Sequence, residues 1–363
     1  MAEVNATLIE EYLRLHSIPG LAEPFTIQQR ASFAGEQRFR VSSSGASASS
    51  SPQGTQASDS IGAIILKRYE PGAIESARRE GAGQRLGGEM GLAAPLLLFD
   101  EDGGALGGPV IVYQEPAGKP LGRGPLTEQQ VDGWLFLLLT LHHLRPDAVS
   151  VASSMSADPT IWWRRTQAAW DACQSAYGGA QYQQLIQALT RLHAIVTARI
   201  EAHRDLWATV IRRPCHGNPV PAHLTQDGAR MTLTEWEGFG LGDPAMEVGR
   251  AAALAALSGE LSADQYVRFI SDYLAGVQDQ RDATFAERVR IFASVLPLGF
   301  GFVVLSMLGS MGGALTGATA AMVAVRPDER ARDINQVKRA LTWVQDTLGV
   351  EVGDPQVLLA NVR

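Results

Sequence analysis

The alternation of apolar and polar positions divides the chain into a strand-rich first third and a helix-rich remainder. The N-terminal stretch up to Pro19-Gly20 has the spacing of a short amphipathic helix. Residues 25–41 alternate in a strand-like way and end in Arg38-Phe39-Arg40-Val41. A second β-prone run, Ile61–Tyr69 (IGAIILKRY), carries Lys67 near its end. Between the two lies SSSGASASSSPQGTQASDS, residues 42–60, with almost no large apolar side chain. Such a segment cannot bury enough surface to offset its ordering entropy, so the pattern predicts a hairpin with an enlarged, flexible tip. Pro71-Gly72 then breaks the chain before a helix expected at about Ala73 to Leu86. PLLLFD and PVIVYQ read as two further strands separated by the turn-rich EDGGALGG.

After Leu126 the period changes. VDGWLFLLLTLHHL, PTIWWRRTQAAWDACQSAY and QYQQLIQALTRLHAIVTARIEAH repeat apolar residues every three or four positions, as helices do. Two β-like pieces, at 208–215 and 230–236, interrupt them. Ile291 to Val325 contains no charged residue. About 20 apolar residues suffice to span a bilayer, so this run has two readings, a membrane segment or a pair of buried helices. Pro297, the many glycines and Ser306, Ser310 and Thr316 dilute it, and the amphipathic DINQVKRALTWVQDTLG follows at once. Both features favour a buried core. The pattern implies an α+β chain with an N-terminal helix (1–24), a strand-rich part (25–120) and a helical part (121–363).

Composition changes this picture little. Of 363 residues, 45% are hydrophobic and 19% charged, the balance of an ordinary folded protein. A net charge of −7 gives no positive field for nucleic acid. Two cysteines, Cys173 and Cys215, cannot build a disulfide framework, and they suit a reducing, cytoplasmic setting. The acidic first residues lack the positive start of a secretory leader.

The candidate chemistry lies in three places. Lys67 is on a predicted strand and Glu80 on the next predicted helix, the arrangement that holds nucleotide phosphates in phosphoryl transfer. Alone, these two are better explained as a solvated strand lysine and an ordinary surface acid. Farther along stands CHGNPVPAHLTQDGARMTLTEWEGFGLGDPAMEVG, with His216-Gly217-Asn218, His223, Thr234-Glu235-Trp236-Glu237 and Gly242-Asp243-Pro244. This region closely resembles the signature of the aminoglycoside phosphotransferase and choline kinase family. The resemblance takes in Lys67, Glu80 and GPVIVYQEPAGKPL, and it covers roughly residues 25–255. It implies a protein-kinase-like fold with a small β-rich N-lobe and a large helical C-lobe. It also implies ATP with Mg²⁺ as cofactor, a small-molecule hydroxyl as acceptor, Gln114 in the hinge, and Gly35 in the phosphate-covering loop.

Three positions depart from the family pattern. Asn218 stands where the family has the aspartate that accepts the hydroxyl proton. An amide offers no comparable base, and such bases contribute about 10²–10⁴ in rate, so slowed transfer is expected. His223 and Glu235 stand at the asparagine and aspartate that ligate Mg²⁺. Imidazole is a poor ligand for a hard ion, and glutamate adds a methylene, so weak metal binding is expected, or a softer ion such as Mn²⁺ or Zn²⁺. Three readings follow: an atypical small-molecule kinase, a ligand-binding pseudokinase acting through a protein partner, and a membrane-attached member using Ile291 to Val325. His142, His143 and Cys215 are expected to be structural, Trp162 and Trp163 either to line a substrate cleft or to pack in the core, and Asp243 to brace the loop around the second motif.

Overall fold

The structure, a computed structural model, describes residues 4–30, 36–43, 61–122, 124–149, 159–277, 282–310 and 327–362. It forms two compact units, each built from separated stretches of chain. The first comprises the described parts of Met1–Gly122, Phe136–Ser154 and Arg213–Leu241. The second comprises those of Arg123–Leu135, Met155–Arg212 and Gly242–Arg363. The segment 213–241, expected within the helical part, therefore groups with the strands. Its short β-pieces pair with each other and with the end of the strand-rich part, which sequence order does not reveal.

In the first unit, β1 (Phe25–Arg30), β2 (Glu36–Ser43), β3 (Ala63–Tyr69), β4 (Leu96–Asp100) and β5 (Val110–Gln114) form one sheet ordered β1-β2-β3-β5-β4. The run 25–41, expected as one strand, is two. β1 and β2 pair antiparallel, with Phe25 opposite Ser43 and Arg30 opposite Arg38. Alternation with a period of two continues through both, so the pattern could not mark the reversal. The expected hairpin with Ile61–Tyr69 is the pairing of β2 with β3, Glu36 opposite Tyr69 and Ser42 opposite Ala63. Residues 44–60 of the Ser-rich segment, and Gly35, lie outside the described residues.

β3 is buried at every position because both faces of the sheet are covered. On one face, α1 (Ala6–His16) packs Ile9 and Leu13 against Phe39, Val41, Ile64, Leu66 and Val112. On the other, Ile65, Tyr69, Ile111 and Tyr113 meet Ala77 of α2 (Ile74–Glu89). Successive side chains of a strand alternate between faces, so Lys67 shares the α2 side with Ile65 and Tyr69.

α2 is rich in glycine, which costs about 1 kcal/mol per residue relative to alanine in a helix interior. The reason is contact. A Cβ at Gly83 would lie 2.8 Å from both Phe239 and Trp236, and one at Gly87 would lie 2.8 Å from Trp236 and Ala93. The helix backbone thus rests directly on a fully buried indole. β7 (Arg213–Cys215) precedes the signature loop. β8 (Leu224–Asp227) and β9 (Arg230–Leu233) form a hairpin, extended by β6 (Lys119–Pro120) in the order β6-β8-β9.

The second unit is helical. It contains α4 (Pro159–Ala176), α5 (Gln183–Ala202), α6 (Pro244–Ser258), α7 (Ala263–Gly276), α8 (Phe285–Ser310) and α9 (Pro327–Leu348), and α3 (Glu128–His143) is divided between the units. α8 packs on α4, α6 and α9. It is long and apolar enough to cross a bilayer, yet 78% of its most apolar window is buried against protein, as in a core helix. Residues 311–325 of the same run lie outside the described residues. Trp163 is buried beside Phe302 and stacked on His193, in keeping with a packing role.

Asp243 caps α6 by accepting the Ala245 N–H. It also pairs through both oxygens with Arg288 at 2.9 and 3.0 Å, and Arg288 reaches Asp282 at 2.7 and 2.8 Å. Arg288 and Asp243 are fully buried. Removing one partner of a buried pair leaves an uncompensated charge, at a cost of about 3–5 kcal/mol. Arg288→Ala should therefore lower the urea midpoint by the equivalent of that cost, whereas Arg268→Ala, in an exposed pair with Glu128 and Asp132, should cost less than about 1 kcal/mol.

Candidate active site

The first unit brings Lys67, Glu80 and Glu235 together. Lys67 Nζ donates to Glu80 Oε1 at 2.7 Å and to Glu235 Oε2 at 3.0 Å, with Glu36 and Glu237 oxygens each at 3.6 Å. The Tyr69 hydroxyl donates to the second Glu80 oxygen. From β2, Arg38 grips Glu235 with two parallel bonds of 2.6 and 2.7 Å and donates to Glu36 at 2.9 Å. Two cations thus hold four carboxylates. Lys67 is entirely enclosed, while the side chains of Arg38 and Glu235 are 15% and 12% exposed.

These neighbours set the charge states. Burial alone would discharge Lys67, but Glu80, Tyr113 and Glu235 hold its pKa well above the usual lysine value. Burial pushes the Glu80 carboxyl up to about 8, against the pull of Lys67. Glu235 behaves oppositely. Burial would raise it, yet Lys67 and Arg38 together outweigh that and hold it at about 2. The Glu235 carboxylate is therefore the firmly ionised centre of the cluster.

The signature loop is set by its backbone. Gly217 has φ +94°, and a Cβ there would lie 2.4 Å from the Gly238 carbonyl oxygen, so only glycine fits. Fully buried His216 spans the loop: its Nε2 lies 2.9 Å from the Thr234 carbonyl oxygen, and its Nδ1 accepts the Asn218 N–H at 3.3 Å. These two contacts brace the loop between Thr234 and Asn218. His223 Nδ1 lies 2.9 Å from the Asn218 carbonyl oxygen and 3.5 Å from Asn218 Nδ2. The His223 carbonyl in turn accepts from the Thr234 N–H at 2.9 Å and the Thr234 hydroxyl at 3.1 Å. Glu235 follows with φ +66°, an uncommon conformation for a residue with a side chain.

Beside this cluster lies a cavity of ≈ 1120 Å³. Ala63, Ile65 and Tyr113 form its sheet wall, the 114–118 linker one edge, and Ala222, Thr225 and Thr234 the other. Arg30, Arg38 and Arg40 supply positive charge, and Glu115 and Glu235 negative. Gln114, expected at a hinge, lines it. Lys67 does not line it; the Arg38–Glu235 pair does.

The donor set does not suit Mg²⁺. Both Glu235 oxygens are bonded to cations, and His223 offers nitrogen, whereas Mg²⁺ demands near-octahedral oxygen ligands. Oxygens of Glu36, Glu80 and Glu237 lie within 4.8 Å of one another, a spacing that could surround an ion, but the Lys67 ammonium sits among them. Sequence reasoning identified Lys67, Glu80 and Glu235 but not Arg38, Glu36 or Tyr113. The doublet Arg38–Arg40 with Glu36 was a visible signal, since alternate residues of a strand share a face.

Residues 43–284, well over half of the chain, match the Phosphotransferase enzyme family (APH), and the chain belongs to that family. A Ralstonia eutropha JMP134 protein provisionally assigned to the aminoglycoside phosphotransferases is similar in structure, with a TM-score of 0.61 at 14% identity over 95% of this chain and 99% of that one. Choline kinase from Cryptosporidium parvum Iowa II gives 0.59 at 13% identity, covering 98% and 100% of the two chains. An aminoglycoside phosphotransferase from Alicyclobacillus acidocaldarius gives 0.56 at 14%, covering 96% and 97%. These likenesses establish the α+β, protein-kinase-like fold with its β-rich and helical parts. No curated protein sequence matches the chain.

Because the pKa of Glu235 is depressed in the folded state, its stabilising contribution is present above the ordinary value of 4.5 and disappears as pH falls towards about 2. The stability difference between the wild type and Glu235→Gln, measured by urea unfolding, should accordingly be constant from pH 7 to pH 5 and shrink steadily below about 4.5.

Proposed function

We propose that this chain binds ATP in the cavity beside Arg38 and Glu235 and transfers its terminal phosphate slowly to the hydroxyl of a small molecule. The observation that carries the reading is the buried Lys67–Glu80 pair, 2.7 Å apart, immediately behind a large cavity edged by a linker. In phosphoryl transfer, catalysis is mostly positioning and charge stabilisation, and a lysine held by a helix glutamate is one of its recurring parts. The Gln114 and Glu115 N–H groups donate to the Pro95 and Ala63 carbonyls, and Pro116 has no N–H. A nucleobase edge would therefore meet linker carbonyls and the Ala117 N–H. Asn218 would orient an attacking hydroxyl through its amide without taking the proton, which makes the transfer slow.

A second reading, a ligand-binding pseudokinase acting through a protein partner, draws support from one feature. Arg38 and Lys67 both close on Glu235, the carboxylate at the position from which the family holds its metal. On that reading the cavity takes a nucleotide or another small ligand, and no transfer follows.

Thermal shift with ATP and single-turnover transfer separate these. Saturation at 100 times the dissociation constant contributes about 2.7 kcal/mol, a shift of several degrees. Ala63→Phe, which pushes a ring into the cavity from its sheet wall, should weaken or abolish it. Asn218→Asp should raise phosphate transfer to a hydroxyl acceptor by about 10²–10⁴ if the missing base is the limiting defect. An ATP shift with no transfer in either form would favour the pseudokinase. No ATP shift under any condition would refute the kinase reading and favour a cleft that takes another ligand.

A further inference from the structure

We infer that the Arg38 guanidinium replaces the divalent cation in this site, so that the cavity takes its nucleoside phosphate as the metal-free anion. The inference rests on the nucleotide reading above and concerns the ionic form of that ligand.

A metal in such a site links an acidic side chain to phosphate oxygens. Here the acidic side chain is Glu235, and its link is already made by Arg38 at 2.6 and 2.7 Å. A guanidinium is a planar cation with five N–H donors, suited to bridging several oxyanions at once. It bonds Glu235 and Glu36 together, and it also faces the cavity. A divalent ion would have to displace Arg38 and Lys67 from a carboxylate that both hold strongly ionised. The tethered cation requires no such exchange.

Charge in the cavity agrees. Its lining carries Arg30, Arg38 and Arg40 against Glu115 and Glu235, three positive groups to two negative, a net +1. Arg40 pairs with Glu115 at 2.7 Å near the linker, and Arg38 lies at the Glu235 end. Lys67, the usual phosphate contact, is sealed behind Glu235. The phosphates of a ligand therefore meet arginine from β1 and β2 before they can meet lysine.

Two measurements test this. Calorimetric titration of the full chain with ATP should give a dissociation constant in excess EDTA at least as tight as in excess Mg²⁺, because Mg²⁺ draws ATP into a complex the site does not need. Arg38→Ala should weaken metal-free ATP by about tenfold or more, the usual range for losing charge-assisted bonds. Arg38→Lys keeps the charge but not the fork and should recover only part of the loss. If ATP binds tightly only with Mg²⁺, the inference is wrong while the nucleotide reading stands. Electron paramagnetic resonance of Mn²⁺ alone gives a readout independent of nucleotide. The wild type should leave millimolar Mn²⁺ free. Bound Mn²⁺ that Glu235→Gln releases would overturn the inference even if ATP bound in neither titration, an outcome that would separately remove the nucleotide reading.

Discussion

The Glu235 carboxylate, shared between Lys67 and Arg38, is the contact on which the rest of the candidate site depends. It joins three pieces of chain that are far apart in sequence: β2, β3 and the segment after β9. Enclosing Glu36, Glu80 and Glu235 with two cations carries a large desolvation cost, and it is tolerated only where each charge finds partners at close range. The geometry provides them. Both Arg38 bonds to Glu235 are under 2.8 Å, and the Lys67 bonds to Glu80 and Glu235 are 3.0 Å or shorter. Glu80, with the deepest burial, is the member of the cluster whose charge is least favoured.

Packing enforces this arrangement from the opposite side. α2 could not lie where it does with side chains at Gly83 and Gly87, because Trp236 and Phe239 occupy that space. Trp236 immediately follows Glu235, so the residue that anchors α2 and the residue that gathers the cations are neighbours in the chain. A change in the seat of the indole would move Glu80 and Glu235 together. The helical propensity lost in α2 is therefore tied directly to the placement of two charged groups.

The same arrangement links three residues of the signature region, Asn218, His223 and Glu235, in space. The His223 ring lies against the Asn218 carbonyl, the His223 carbonyl is bonded to Thr234, and Thr234 leads into Glu235 with its left-handed backbone. Glu235 reaches Arg38 across the unit, and the His223 imidazole lies in the turn. The three residues lie along one continuous path of contacts.

Much of this was legible in the residues. Lys67 sits on a strand and Glu80 on the following helix as the periodicities predict, and the signature run around His216 and Trp236 was visible as a family resemblance because those residues recur at fixed spacing. What periodicity could not show was the division of residues 25–41 into two strands, since a reversal between two alternating strands leaves the alternation intact. Nor could it group 213–241 with the sheet, because short β-pieces take their partners from distant chain. Local order and the identity of the chemical groups followed from the sequence, where spacing alone sets which side chains share a face. The choice of Arg38 as the partner of Glu235, 197 residues away, was decided only by the tertiary structure, because the strength of an ion pair depends on distance and burial, and neither exists until the chain has folded.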